Sequence, residues 1–182
     1  MIIVEAQISD LTPFFDYLEN QLAENGVDKS PLFMPVARDK KSVSPQTKKK
    51  FEDGFSKNLD DLRFRKLWLA KDSLGKIIGH IDLRHHNDEH CLHRVLLGMD
   101  VDSNHRKKGI GEQLIREIIH FCYDNSNIDW LDLNVLSMNV PAKKLYLKCA
   151  FEIVGEISDY YRIEGDSVSE ITMTKNVKSS TH

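Results

Sequence analysis

The spacing of apolar side chains changes period several times along the chain, and each change marks an element. IIVEAQ opens as a short apolar strand. Leu11, Phe14, Phe15, Leu18 and Leu22 then recur every three or four residues, which predicts a helix over 11–25 behind a Ser9-Asp10 cap. Residues 26–45 carry Pro31, Pro35 and Pro45 and no period, a long loop of the kind that tends to carry function. QTKKKFEDGFSKNLDDL predicts a second helix, interrupted by Gly54. From Phe64 the pattern alternates: FRKLWLAK, a DSLG turn, KIIGHIDLRHH and HRVLLGMDV form a meander. GIGEQLIREIIHFCYDN is the clearest helix, with Ile110, Leu114, Ile115, Ile118, Ile119 and Cys122 on one stripe and Glu112, Gln113, Arg116 and Glu117 opposite. WLDLNVL is a strand, NVPAKKLYLKCA a helix with Pro141 in its first turn, and FEIVGEI and SEITMTK are closing strands. The chain reads as one domain over 1–178, with 179–182 a frayed tail.

Composition narrows the class of function. The 182 residues suffice for one domain with a proper core, and 41% apolar with 29% charged residues is ordinary for a soluble globular protein. A net charge of -3 argues against a general nucleic-acid binder. No apolar run is long enough for a membrane span, and MIIVEAQISDL lacks the pattern of a signal peptide. Cys91, Cys122 and Cys149 are odd in number and widely spaced, which predicts reduced thiols and a cytoplasmic protein. His85, His86, His90, His93 and Cys91 invite comparison with a zinc site. They fall at an expected hairpin tip without ligand-pair spacing, so a polar loop and no metal are expected.

The segment VDSNHRKKGIGEQL carries the most chemistry. A helix N-terminus presents free backbone N–H groups and the positive end of a dipole, and glycines before it let a bulky anion approach closely. Arg106, Lys107 and Lys108 add positive charge beside Gly109-Ile110-Gly111, so the segment suits a pyrophosphate. Its spacing fits neither the dinucleotide fingerprint nor the P-loop.

The spacing R-x-x-G-x-G after the strand LLGMDV resembles the acetyl-CoA motif of the GCN5-related N-acetyltransferases. A later stretch, NVPAKKLYLKCAF, resembles that family's second motif, with Ala150 where most members have glycine, and YYRIEGDSVSEITMTK resembles its closing hairpin. The resemblance covers essentially the whole chain and is strongest over 93–151. It implies an α/β protein of the acyl-CoA N-acyltransferase fold, a mixed, mostly antiparallel sheet of about six or seven strands flanked by about four helices.

The resemblance also implies a site. The strand LLGMDV should splay from WLDLNVL at a bulge. Met99, Asp100 and Val101 should line the pantetheine arm, the backbones of Met99 and Val101 pairing with it like an added strand. Arg106, Lys107, Lys108, Gly109, Ile110, Gly111 and Glu112 should wrap the pyrophosphate, with Asn139 beside the cofactor. The implied chemistry is direct attack of a primary amine, on a small molecule or a protein, upon the thioester of acetyl-CoA. A backbone N–H near Val101 would hold the oxyanion, and Tyr146 would protonate the leaving thiolate. For the general base, the face of His93, Val95, Leu97 and Met99 offers no acid at Val95 or Leu97, which leaves His93, Asp82 or a water chain. The rival function is a non-catalytic acyl-CoA-binding or regulatory module, and another acyl donor such as succinyl- or malonyl-CoA fits the same motif. The partners implied are an amine-bearing acceptor and, as in many members of the family, a second copy of the chain.

Overall fold

The computed structural model describes residues 1–27 and 30–178. The expected tail over 179–182 therefore lies outside the described residues. Strand β1 (Ile2–Glu5) leads through a short 3-10 turn into α1 (Leu11–Glu24), whose start is fixed where the Gln7 N–H donates to Asp10 Oδ2 at 2.8 Å. The second helix, α2 (Pro45–Phe55), is capped by Ser44 Oγ, which accepts the Thr47 N–H at 3.1 Å, with proline in the first turn. It ends seven residues before the sequence pattern does. At Gly54 the chain passes so close to Arg63 that an added Cβ would lie 2.1 Å from the Arg63 carbonyl oxygen, and the following residues turn instead.

The strands β2 (Arg65–Lys71), β3 (Ile77–His85) and β4 (Arg94–Val101) form the expected antiparallel meander. The helix α3 (Ile110–Asp124) then crosses over to β5 (Trp130–Leu136), which pairs parallel to β4. After α4 (Val140–Lys148), strands β6 (Glu152–Ile163) and β7 (Asp166–Asn176) form a hairpin, and β7 docks on β5. The seven-stranded sheet runs β1-β2-β3-β4-β5-β7-β6. A single crossover helix between adjacent strands is what makes β4 and β5 parallel while their neighbours are antiparallel.

Burial divides by face as the alternation requires. Ile110, Leu114, Ile115, Ile118 and Cys122 of α3 pack with Trp68, Ile81, Leu83, Val95, Leu97, Leu131 and Leu133. On the other face Phe14, Phe15 and Tyr17 of α1 and Phe51 of α2 cover Leu67, Leu69 and Ile77. The long loop is ordered by Asn25, fully buried, whose Oδ1 accepts from the N–H groups of Phe33 and Met34. Leu32 joins Leu136, Ile163 and Val168, and Arg38 pairs with Glu164 and Asp166, so the loop lies against the β6–β7 hairpin. That hairpin is longer than its alternation suggests. Its register shifts between Ile157 and Tyr161, with Asp159 at φ 56°, which hides the period, and Glu164 and Gly165 close it at φ 52° and 91°. Among the described residues no helix is long and apolar enough to cross a membrane.

Candidate acetyl-CoA and acceptor site

Strands β4 and β5 pair only at Arg94–Trp130, Val95–Leu131 and Leu96–Asp132 and then separate. The closed end is clamped: Asp132, buried, accepts from Arg94 at 2.8 and 2.6 Å, from Thr174 Oγ1 at 2.6 Å, and meets His86 Nε2 at 3.0 Å. Burial raises the Asp132 carboxyl, but these donors outweigh it and hold the group below its ordinary value. Above the clamp the gap opens as a V. No bulge opens it, since the β3–β4 register runs unshifted from His85–Val95 to Gly79–Val101. The expectation of a bulge is thus corrected: the divergence lies between β4 and β5 alone.

The gap exposes backbone. Asp102 donates to the Ile78 carbonyl at 3.0 Å, so by alternation the even positions of β4 face β3, while Leu97, Met99 and Val101 direct theirs across the gap. Both backbone groups of Val101 have partners within the chain. Its N–H donates to Asp100 Oδ1 at 2.7 Å and its carbonyl accepts from Arg106 Nε at 2.9 Å. A strand-like ligand at Val101 must replace these bonds, whereas the Met99 backbone has no strand partner across the gap among the described residues.

Beyond β4 the chain makes a 3-10 turn (Ser103–His105), with His105 Nδ1 2.9 Å from Asp102, and enters α3 through two left-handed residues, Lys107 at φ 62° and Gly109 at φ 77°. The backbone N–H groups from Lys107 through Glu112 have no partner among the described residues, the first helical bond being that of Gln113 to Gly109. A run of convergent N–H groups at the positive end of a 15-residue helix is an anion cradle. A Cβ at Gly109 would meet nothing nearer than Gln113 at 3.9 Å, so that side of the cradle is open. At Gly111 a Cβ would lie 2.7 Å from Leu145 Cδ2 and 3.2 Å from Met99 Cε, so there the glycine lets α3 approach α4 and β4.

The structure distributes the expected residues unevenly. Lys107, Lys108, Gly109, Ile110 and Gly111 lie on the cradle, with Lys107 and Lys108 exposed. Glu112 contributes its N–H, but its carboxylate is held by Lys148 at 2.6 Å and Arg116 at 2.7 Å. The Arg106 side chain turns away from the cradle, toward the Val101 carbonyl, Asp100 Oδ1 at 3.5 Å and the Phe33 ring. Asn139 caps α4, accepting the Ala142 N–H at 3.4 Å. Tyr146 is buried against Phe151, and its hydroxyl has no hydrogen-bond partner among the described residues. Burial, and secondarily the Asp100 charge, push the phenol well above its ordinary value, so it stays protonated at neutral pH.

His93 lies elsewhere. It is exposed just before β4, at the clamped end, where its carbonyl accepts from Asp129 and Trp130. Eight extended residues, about 26 Å at 3.3 Å each, separate it from Val101, which removes it from the base role. The other histidines of that segment are dispersed: His85 bonds the Leu59 carbonyl at 2.7 Å, His86 meets Asp132, and His90 is exposed.

A buried titratable group near the cradle is Asp100, on the β4 face opposite the Val95–Met99 stripe. It is mostly buried beneath α1, where Tyr17 donates to its backbone carbonyl at 3.2 Å, and its Oδ2 is buried without a partner among the described residues. Burial pushes its carboxyl up to about 6 against the pull of Arg106 and the Val101 N–H. Neighbouring His80 is buried edge-on to Phe14 and Tyr17, and burial takes it down to about 4. Sequence reasoning placed Asp100 beside the cofactor but sought the base in His93, Asp82 or a water chain. The available signal was an acid at an alternate strand position two residues past Gly98.

This geometry can be set beside known proteins. The family model described as acetyltransferase (GNAT) family matches residues 35–151. An L-amino acid N-acetyltransferase of Escherichia coli K12 is 31% identical over 101 residues, covering 56% of this chain and 62% of that protein. N-acetylaspartate synthetase of Homo sapiens is 33% identical over 95 residues, covering 52% of this chain and 30% of that protein. The chain thus spans less than two thirds of the length of these curated relatives. A putative acetyltransferase from Salmonella typhimurium, solved with its cofactor acetyl-CoA, superposes over 100% of this chain and 96% of its own at a TM-score of 0.77, with 12% identity. The seven-stranded mixed sheet, the V between β4 and β5 and the cradle at α3 accord with a family match that covers most of the chain, and the protein belongs to the acetyltransferase (GNAT) family.

Proposed function

We propose that the protein is an acetyl-CoA-dependent N-acetyltransferase that moves the acetyl group directly to a primary amine of a small molecule. The observation that carries this reading is the continuity of the β4 edge that diverges from β5, with the Met99 backbone facing the gap, and the N–H groups from Lys107 to Glu112, which have no partner among the described residues. That path offers strand-like partners to an amide-bearing arm and donors to a pyrophosphate, the pantetheine and the bridging diphosphate of CoA. The named activities of the relatives, on L-amino acids and in the synthesis of N-acetylaspartate, favour a small acceptor over a protein.

The chain's own groups supply three functions. Backbone N–H at the open edge of β4 stabilises the oxyanion. Asp100, with an unpartnered oxygen and a carboxyl near 6, accepts the proton that the amine must lose. Tyr146, protonated and unpartnered, donates a proton to the departing thiolate.

Release of free CoA thiol in the presence of a panel of small amines tests the reading. Tyr146→Phe is expected to lower kcat on the order of 100-fold while acetyl-CoA affinity is kept. Equal turnover in that variant removes the acid role. Acetyl-CoA binding without turnover of any amine would instead favour the binding-module reading.

A further inference from the structure

The acceptor side of the cleft carries a charge arrangement that the transfer chemistry does not use. On β3, His80, Asp82 and Arg84 share the sheet face covered by α1 and α2, opposite Asp100, Gly98 and Leu96 of β4. Gly98 is two residues past the last β4–β5 pair, so it sits on the lip of the V beside Met99. A Cβ there would lie 2.6 Å from Asp82 Oδ2 and 3.2 Å from an Arg84 guanidinium nitrogen. The missing side chain is therefore what lets both groups of β3 lean across β4 to the edge of the gap.

The charges do not balance. Asp82, buried, faces two guanidinium groups, Arg84 at 3.3 Å and Arg65 at 3.6 Å. Arg65 is further engaged by the Phe51 ring 4.1 Å from its guanidinium carbon, and its side chain is only 13% exposed. Arg84 is 32% exposed, and its bond to Asp82 is long and made through one nitrogen. No other acid bonds it among the described residues. A planar donor with unused N–H groups, held over a glycine at the lip of a cleft, suits an incoming carboxylate gripped at two oxygens.

Resting on the acetyltransferase reading above, we infer that the acceptor is an amine bearing a carboxylate close to its amino group, and that Arg84, admitted by Gly98, is the residue that binds that carboxylate. Asp82 and Arg65 hold Arg84 in place, and the amine then faces Asp100 two positions along the same face of β4.

The test compares α-amino acids with their amides as acceptors, following CoA thiol release, with acetyl-CoA affinity read separately by calorimetry. The amide's amine is the less basic of the two and more of it is unprotonated at neutral pH, so any preference for the acid must come from its carboxylate. The wild type is expected to favour the acid by roughly ten- to a hundred-fold in kcat/KM. Arg84→Gln should abolish that preference, mainly through KM for the acid, and Arg84→Lys should restore part of it. Gly98→Ala, which displaces the same guanidinium, should narrow the preference as well. Acetyl-CoA affinity should be unchanged in the Arg84 variants. Equal use of acid and amide by the wild type, or a preference that survives Arg84→Gln, overturns the carboxylate site while leaving the acetyltransferase reading in place. Loss of both binding and turnover with every amine overturns the two together.

Discussion

At the scale of single residues, the chemistry depends on which side of β4 a side chain faces. Val95, Leu97 and Val101 face α3 and are buried apolar groups, whereas Gly98 and Asp100 lie on the face covered by α1 and α2. An acid on the apolar stripe would be costly to bury, but Arg106 and the Val101 N–H hold the Asp100 charge in part. If Asp100 takes the amine proton, it must be ionised to work, so kcat/KM should rise with pH through about 6. Asp100→Asn is expected to lower kcat on the order of 100-fold and to remove that acidic limb. A variant that keeps the limb would move the base elsewhere, with Asp82 the next group to examine. The sequence showed Asp100 plainly, but alternation says only that two faces exist. Which face meets the acceptor depends on α1 packing, through Phe14 and Tyr17, and that is a tertiary fact.

At the scale of elements, the cleft is a matter of where pairing stops. The sequence pattern located β4, α3 and β5 nearly to the residue, because alternation and the α3 stripe are strong and the cradle glycines punctuate them. It could not show that β4 and β5 pair over three residues and then part. That boundary coincides with the Arg94–Asp132–Thr174 clamp around buried Asp132, in which residues from three strands converge. Asp132→Ala leaves Arg94 without its carboxylate and is expected to cost about 3 kcal/mol, measured by urea denaturation. A loss below about 1 kcal/mol would mean that the strands are held by packing alone. β6 was the least legible element, since its bulges and exposed side chains erase the period.

At the scale of the whole molecule, two buried titratable groups on one face oppose each other as pH falls. The unfolded chain protonates His80 below about 6.5 but the folded protein only below about 4, so this histidine costs stability as pH drops through that window. Asp100 acts in the opposite sense. The folded protein takes up its proton below about 6 and the unfolded chain only below 3.8, so stability is gained as pH falls between them. Each effect is worth about 3 kcal/mol at full extent, and in the wild type they largely cancel. His80→Leu should therefore grow more stable, and Asp100→Asn less stable, between pH 6.5 and 4.5 in urea titrations. Identical slopes in both variants and the wild type would contradict the assignment of these two groups.

The same scale holds the central claim, that the open edge of β4 and the N–H cradle of α3 form one continuous site for acetyl-CoA. Calorimetric titration of acetyl-CoA into the purified protein tests it most directly, with Gly109→Ala alongside. The account predicts a one-to-one complex with Kd in the micromolar range. Because position 109 sits at φ 77°, where a side chain is strained, the variant should bind roughly tenfold more weakly. Absence of binding at millimolar acetyl-CoA, or full affinity in the variant, would contradict it.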